Sequence, residues 1–106
     1  MDISCKRTDS GTVVYMQGEI DHHNAAEARR TLDGIIEADQ PARFGLDLSG
    51  VTFCDSSGLG LVMGRMKKCS SVGSVLVILD PSPAAEKILQ IAGMDRIIKI
   101  EKRQTK

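Results

Sequence analysis

The chain has 106 residues, of which 42% are apolar, and its formal charge is zero because 14 basic residues balance 14 acidic ones. That is enough chain for one domain, residues 1–106, around a single core. Only Tyr15, Phe44 and Phe53 are aromatic. Without a basic field or stacking platforms, no direct DNA or RNA partner is expected.

In chain order, residues 3–7 and 12–18 flank Asp9-Ser10-Gly11, whose turn chemistry predicts a hairpin. Ala25, Ala28, Leu32, Ile35 and Ile36 recur at helical spacing, behind Asp21 or Asn24 as a cap. Residues 43–48 predict a strand with Phe44, Leu46 and Leu48 on one face, followed by a turn at Ser49-Gly50 and a short extension through Phe53. Cys54-Asp55-Ser56-Ser57-Gly58 leads into a second helix over 59–69. The apolar run 75–79 predicts a strand covered on both faces. Ser82 caps a third helix with Pro83 at its first position, Ile88, Leu89, Ile91 and Ala92 form its buried stripe, and Gly93 ends it. Residues 96–100 make the last strand, and the basic tail 99–106 is expected to fray in solvent. The class is α/β with the order β-β-α-β-α-β-α-β. Helices between strands require crossovers, so the sheet is mixed and mostly parallel, with only the first hairpin antiparallel.

No apolar stretch approaches the roughly 20 residues that span a bilayer, and the first residues lack a signal-peptide hydrophobic region. Cys5, Cys54 and Cys69 form an odd set without CxxC spacing. They fit a reduced, cytoplasmic setting better than a disulfide framework or zinc site. A cytoplasmic monomer with no membrane partner is expected.

The segment richest in chemistry is Phe53 to Gly60, where a strand ends, two serines follow and a helix begins. Free N–H groups at a helix start tolerate an anion, so a phosphate on Ser56 would be well placed. On local chemistry alone, ordinary capping by Ser56 or Ser57 is the simpler account of the pair, and one serine can cap while the other is exposed. Gly58, Gly60 and Gly64, with Asp80 twenty residues after Gly60, loosely mirror a dinucleotide fingerprint, but the third glycine is late and Asp-Ser-Ser fills the tight turn. Close helix–sheet packing explains those glycines more simply. A nucleophile elbow fails because Cys54 stands where its first glycine belongs. His22 and His23, adjacent on a turn, should point apart, and no further ligand lies at metal spacing, so no metal or cofactor is expected.

Taken together, Gly18-Glu19-Ile20-Asp21-His22-His23, Asp47-Leu48-Ser49, Asp55-Ser56-Ser57-Gly58-Leu59-Gly60 and Gly64-Arg65 resemble the anti-sigma factor antagonists of the STAS domain superfamily. The resemblance is greatest to the sporulation-type antagonists of the anti-sigma F factor. It runs over essentially the whole chain and implies a partner-switching phosphoprotein of transcription regulation, not an enzyme. In that family the unphosphorylated protein binds an anti-sigma factor that is also a serine kinase, and so frees the sigma factor. Phosphorylation of the first serine of the motif, here Ser56, switches binding off, and a PP2C-type phosphatase restores it. The resemblance assigns Asp21, His22, Asp55, Ser57 and Gly58 to the partner-facing surface. A STAS protein of a stress-response circuit, and more remotely a small nucleotide-binding protein, are the alternatives. Cys54 stands where an apolar residue such as Met is usual, which raises the question of oxidation if it is exposed.

Overall fold

A computed structural model describes residues 1–103. Its elements are β1 (Asp2–Thr8), β2 (Gly11–Ile20), α1 (Ala25–Asp39), β3 (Arg43–Cys54), α2 (Ser56–Ser71), β4 (Val75–Leu79), α3 (Pro83–Ile91), a single 3-10 turn (Met94–Arg96) and β5 (Lys99–Glu101). The strands lie side by side in sequence order. β1 pairs antiparallel with β2 around the Asp9-Ser10 turn, and every later pair is parallel. The expected fold class and element order hold.

Period-two alternation builds the core. Phe44, Leu46 and Leu48 of β3 share one face with Val14 and Met16 of β2 and Leu76 and Ile78 of β4, all buried in one cluster. Leu32 and Ile36 of α1, Leu61 and Cys69 of α2, and Leu89 of α3 close over it. On the opposite face, salt-bridged side chains lie along β3 to β5. Asp47 is buried there, its Oδ1 accepts hydrogen bonds from Ser49 N and Oγ, and its other oxygen pairs with Arg103. Arg103 also donates to Asp80 at 2.8 Å, and Arg43 pairs with Glu101. The long guanidinium stems cover apolar surface while their heads meet carboxylates.

Several expectations are corrected. Ser49-Gly50 is not a turn: β3 runs for 12 residues because β2 pairs with it to its end, with register shifts between Tyr15 and Gln17 and between Gly18 and Glu19. Gly50 is needed for that pairing, since a Cβ there would stand 2.7 Å from Gln17 Cγ. α2 starts three residues before Leu59. Ile91 is 72% exposed, not buried, because the nine-residue α3 turns only Ala85 and Leu89 fully inward. The last strand shrinks to three residues because a 3-10 turn consumes 94–96, leaving Ile97 exposed and Ile98 buried. The basic tail is docked as far as Arg103, by the Asp47 and Asp80 pairs and by Lys102 on Glu86. Residues 104–106 of that tail lie outside the described residues. The Ser82 cap holds: its hydroxyl accepts from Ala85 N at 3.1 Å, with Pro83 next. Gly93 follows α3 with φ 73°, the left-handed conformation that stops a helix.

Candidate functional site

Two turns meet at the carboxyl edge of the parallel strands. Ile20 ends β2 opposite Cys54, which ends β3. Asp55 N then donates to Ile20 O at 3.2 Å, so the turn after β2 and the turn after β3 are fastened together. This is the edge where α/β sheets collect their functional loops. The first turn carries Asp21 and His22, and the second carries Asp55, Ser56 and Ser57.

The Asp21 turn is built by reciprocal side-chain bonds. Asp21 Oδ1 accepts from His23 N at 3.0 Å and Asn24 N at 3.2 Å, while Asn24 Oδ1 accepts from Asp21 N at 3.1 Å. Asn24 Nδ2 donates to Glu19 O at 2.6 Å. Asn24 is therefore the cap position of α1 but spends its side chain on the preceding turn and not on the helix. Asp21, the other candidate cap, likewise orders the turn. His22 and His23 do not point apart: the centroids of their exposed rings lie 4.0 Å apart, with the planes tilted by 37°. No cluster of three or more His, Cys, Asp or Glu that could hold a metal occurs among the described residues.

At α2 the cap is Asp55, not either serine. Its Oδ1 accepts from Ser57 N at 2.8 Å from an extended backbone, the usual geometry of a capping carboxylate. Its negative charge also faces the positive end of the helix dipole. Asp55→Ala should cost about 1 kcal/mol, read as a lowered urea midpoint at unchanged slope. Because Asp55 caps, Ser56 is released to the first helical position. It is exposed, and its hydroxyl makes no hydrogen bond among the described residues. The Ser57 hydroxyl likewise makes no hydrogen bond among the described residues, so what separates the two serines is exposure: Ser57 is half-buried.

Gly58 is buried beneath this surface. A Cβ there would run into Cys54 Sγ and approach Ile20 Cγ2 to 3.4 Å. It lets the start of α2 lie on the ends of β2 and β3, and so shapes the partner surface expected of it without lining that surface. Gly60 and Gly64 have no neighbour within 4 Å of an added Cβ, so of the three only Gly58 mediates close packing. Both lie inside α2, where their N–H groups serve the helix, and Asp80 is engaged by Arg103. That arrangement is not a phosphate-cradling loop.

Cys54 is half-buried, and burial first, then the charge of Asp55, pushes its thiol up to about 11 from 9.0. At pH 8 that leaves about a hundredfold less thiolate than an unperturbed cysteine has. Iodoacetamide should therefore label Cys54 far more slowly in the folded chain than in urea. Phe53, 48% exposed just ahead of the motif, extends the surface with an apolar patch. Sequence reasoning missed it because it lies beyond Asp47↔Leu79, the last pair of β3 with β4, where strand alternation no longer reports burial.

A five-stranded mixed sheet whose carboxyl edge presents an exposed serine at a helix start, beside an ordered acidic turn, defines a small α/β module. The STAS domain family matches residues 2–105, and the chain belongs to that family. It is 34% identical over 87 residues to the anti-sigma F factor antagonist of Lysinibacillus sphaericus, covering 82% of this chain and 74% of the relative. It is 28% identical over 102 residues to the anti-sigma-B factor antagonist of Listeria monocytogenes, covering 95% and 89%. Among solved structures, the anti-sigma factor antagonist SpoIIAA in its unphosphorylated form superposes with a TM-score of 0.80 at 26% identity, over 97% of this chain and 89% of that one. The phosphorylated form of SpoIIAA from Bacillus gives 0.74 at 27% identity, over 97% and 92%.

Proposed function

We propose that this chain is an anti-sigma factor antagonist whose partner binding is set by phosphorylation of Ser56. The observation that carries the reading is the exposed, unbonded Ser56 hydroxyl at the first position of α2, released by the Asp55 cap. The unphosphorylated chain binds an anti-sigma serine kinase through Asp21, His22, Asp55, Ser57 and the neighbouring surface, and the sigma factor is released. The kinase transfers phosphate to Ser56, and a PP2C-type phosphatase removes it. The chain acts as a binding module of the cytoplasm and performs no catalysis of its own.

Phosphorylation adds about −1.5 to −2 charges. The helix start can bear that charge without unfolding, while Asp55 and Asp21 nearby keep the surface from being neutralised. The modified surface then repels or desolvates badly against a partner fitted to a neutral hydroxyl. Incubation with the kinase and MgATP, followed by peptide mapping, should give one phosphate, on Ser56, which the phosphatase removes. A phosphate on Ser57 alone would refute the site.

A second reading keeps the mechanism and changes the circuit. The likeness to anti-sigma-B antagonists spans 95% of this chain, against 82% for the anti-sigma F relative, although at lower identity. Offering the chain to both classes of kinase decides between them, since only the cognate one should phosphorylate it efficiently.

A further inference from the structure

The cleft between α1 and α2 is lined by two arginines, one of which is paired with Asp33. It measures about 350 Å³ and is lined by Ser57 at the start of α2. Ala25, Ala26, Gly60 and Gly64 leave its walls short and mainly apolar. Arg65, a further lining residue, is only 6% exposed. Its Nε lies 2.7 Å from Asp33 Oδ1, yet the two atoms are not aligned for a hydrogen bond and neither has another partner among the described residues. Nη1 reaches Leu61 O at a long 3.4 Å. The guanidinium is thus held by the Asp33 ion pair, and its Nη2 makes no hydrogen bond among the described residues.

Arg29 lines the same cleft, is exposed, and forms no ion pair among the described residues. Burial lowers the Arg65 pKa most; Asp33 opposes the shift, and the charge of Arg29 adds to it. Arg29 and Arg65 against Asp33 leave the arginine end of the cleft net positive, while at the Ser57 end the Asp55 carboxylate already offsets the dipole of α2.

We propose, on the reading that this edge binds an anti-sigma partner, that the cleft seats a carboxylate side chain of that partner between Arg29 and Arg65. The walls favour this occupant over a free anion. An aliphatic stem covers Ala25, Ala26 and Leu61 while its carboxylate reaches the guanidinium groups, whereas a hydrated phosphate would leave those walls uncovered. Ser57 adjoins Ser56, so a phosphate on Ser56 places a rival anion close to the same positive field. The seat then serves the unphosphorylated chain alone.

Calorimetric titration of the full chain with its cognate kinase tests this. Arg29→Ala should weaken binding about tenfold and flatten its salt dependence, Arg29→Glu should weaken it at least about thirtyfold, and Arg29→Lys should stay within about threefold. Arg29 is exposed, so the variants should melt with the wild type. Arg29→Glu binding within about twofold of wild type would overturn the proposal. So would saturable, inorganic phosphate-induced shifts of the Arg65 Nε resonance combined with kinase binding indifferent to Arg29, which would mark a free-anion pocket. Failure of the wild-type chain itself to bind the kinase would instead overturn the functional reading on which the proposal rests.

Discussion

Ser56→Ala should abolish phosphate incorporation and leave the chain bound to the kinase in the continued presence of ATP. The fold gives the substitution little else to disturb. The Ser56 hydroxyl makes no hydrogen bond among the described residues, and the cap of α2 belongs to Asp55. Stability should therefore change by no more than about 0.5 kcal/mol, as for other surface changes away from special features. Ser57→Ala should still be modified, because its neighbour presents the acceptor. Ser56→Asp should weaken kinase binding at least about tenfold, equivalent to about 1.4 kcal/mol, by adding a charge beside Asp55. Ser56→Ala that still accepts phosphate at the wild-type rate would remove Ser56 from its assigned role, whatever the binding data show.

Gly58→Ala should destabilise the domain by about 2 kcal/mol, against the gain an alanine normally brings to a helix. The new methyl collides with Cys54 Sγ and comes within 3.4 Å of Ile20 Cγ2. The helix start must rise or the Cys54 thiol must leave its present position. Either movement strains the junction where Asp55 N meets Ile20 O, so kinase binding should weaken along with stability. A double-mutant cycle isolates the contact. Cys54→Ala removes the opposing sulfur, so the pair Cys54→Ala/Gly58→Ala should be more stable than the sum of the single changes allows, with a coupling of about 1 kcal/mol. Strict additivity in urea unfolding would show that the loss has another origin.

Much of this architecture was legible in the residues. Period-two runs such as Phe44-x-Leu46-x-Leu48 and the solid Val75–Leu79 run reported the sheet, because strand burial writes itself directly into alternation. Ser82-Pro83 and Gly93 marked the ends of α3 through local backbone chemistry alone. Ser49-Gly50 misled because its meaning depends on a neighbour: paired along β2, glycine is a close-approach residue and not a turn. Ile91 and Ile97 misled for a related reason, since helical or strand spacing says which residues share a face but not where packing stops.

The candidate site divided in the same way. The motif around Ser56 and the turn at Asp21 were visible, and strand topology explains why they meet. Which residue caps α2 was not visible, because Asp55, Ser56 and Ser57 are all competent caps and only the backbone path selects among them. The seat between Arg29 and Arg65 was hidden as well, since it needs the relative placement of α1 and α2, which no local pattern carries.

On the proposed function, one phosphate on Ser56 governs partner binding from a fold that stays unchanged. The direct measurement is a calorimetric titration of the cognate kinase with the wild-type chain, unphosphorylated and then quantitatively phosphorylated on Ser56, with amide spectra of both forms recorded alongside. The phosphorylated form should bind at least about tenfold more weakly while shift changes stay confined to the Asp21 and Ser56 turns and the cleft beside them. Equal affinity for the two forms would contradict it, and so would a loss of affinity accompanied by shift changes throughout the core.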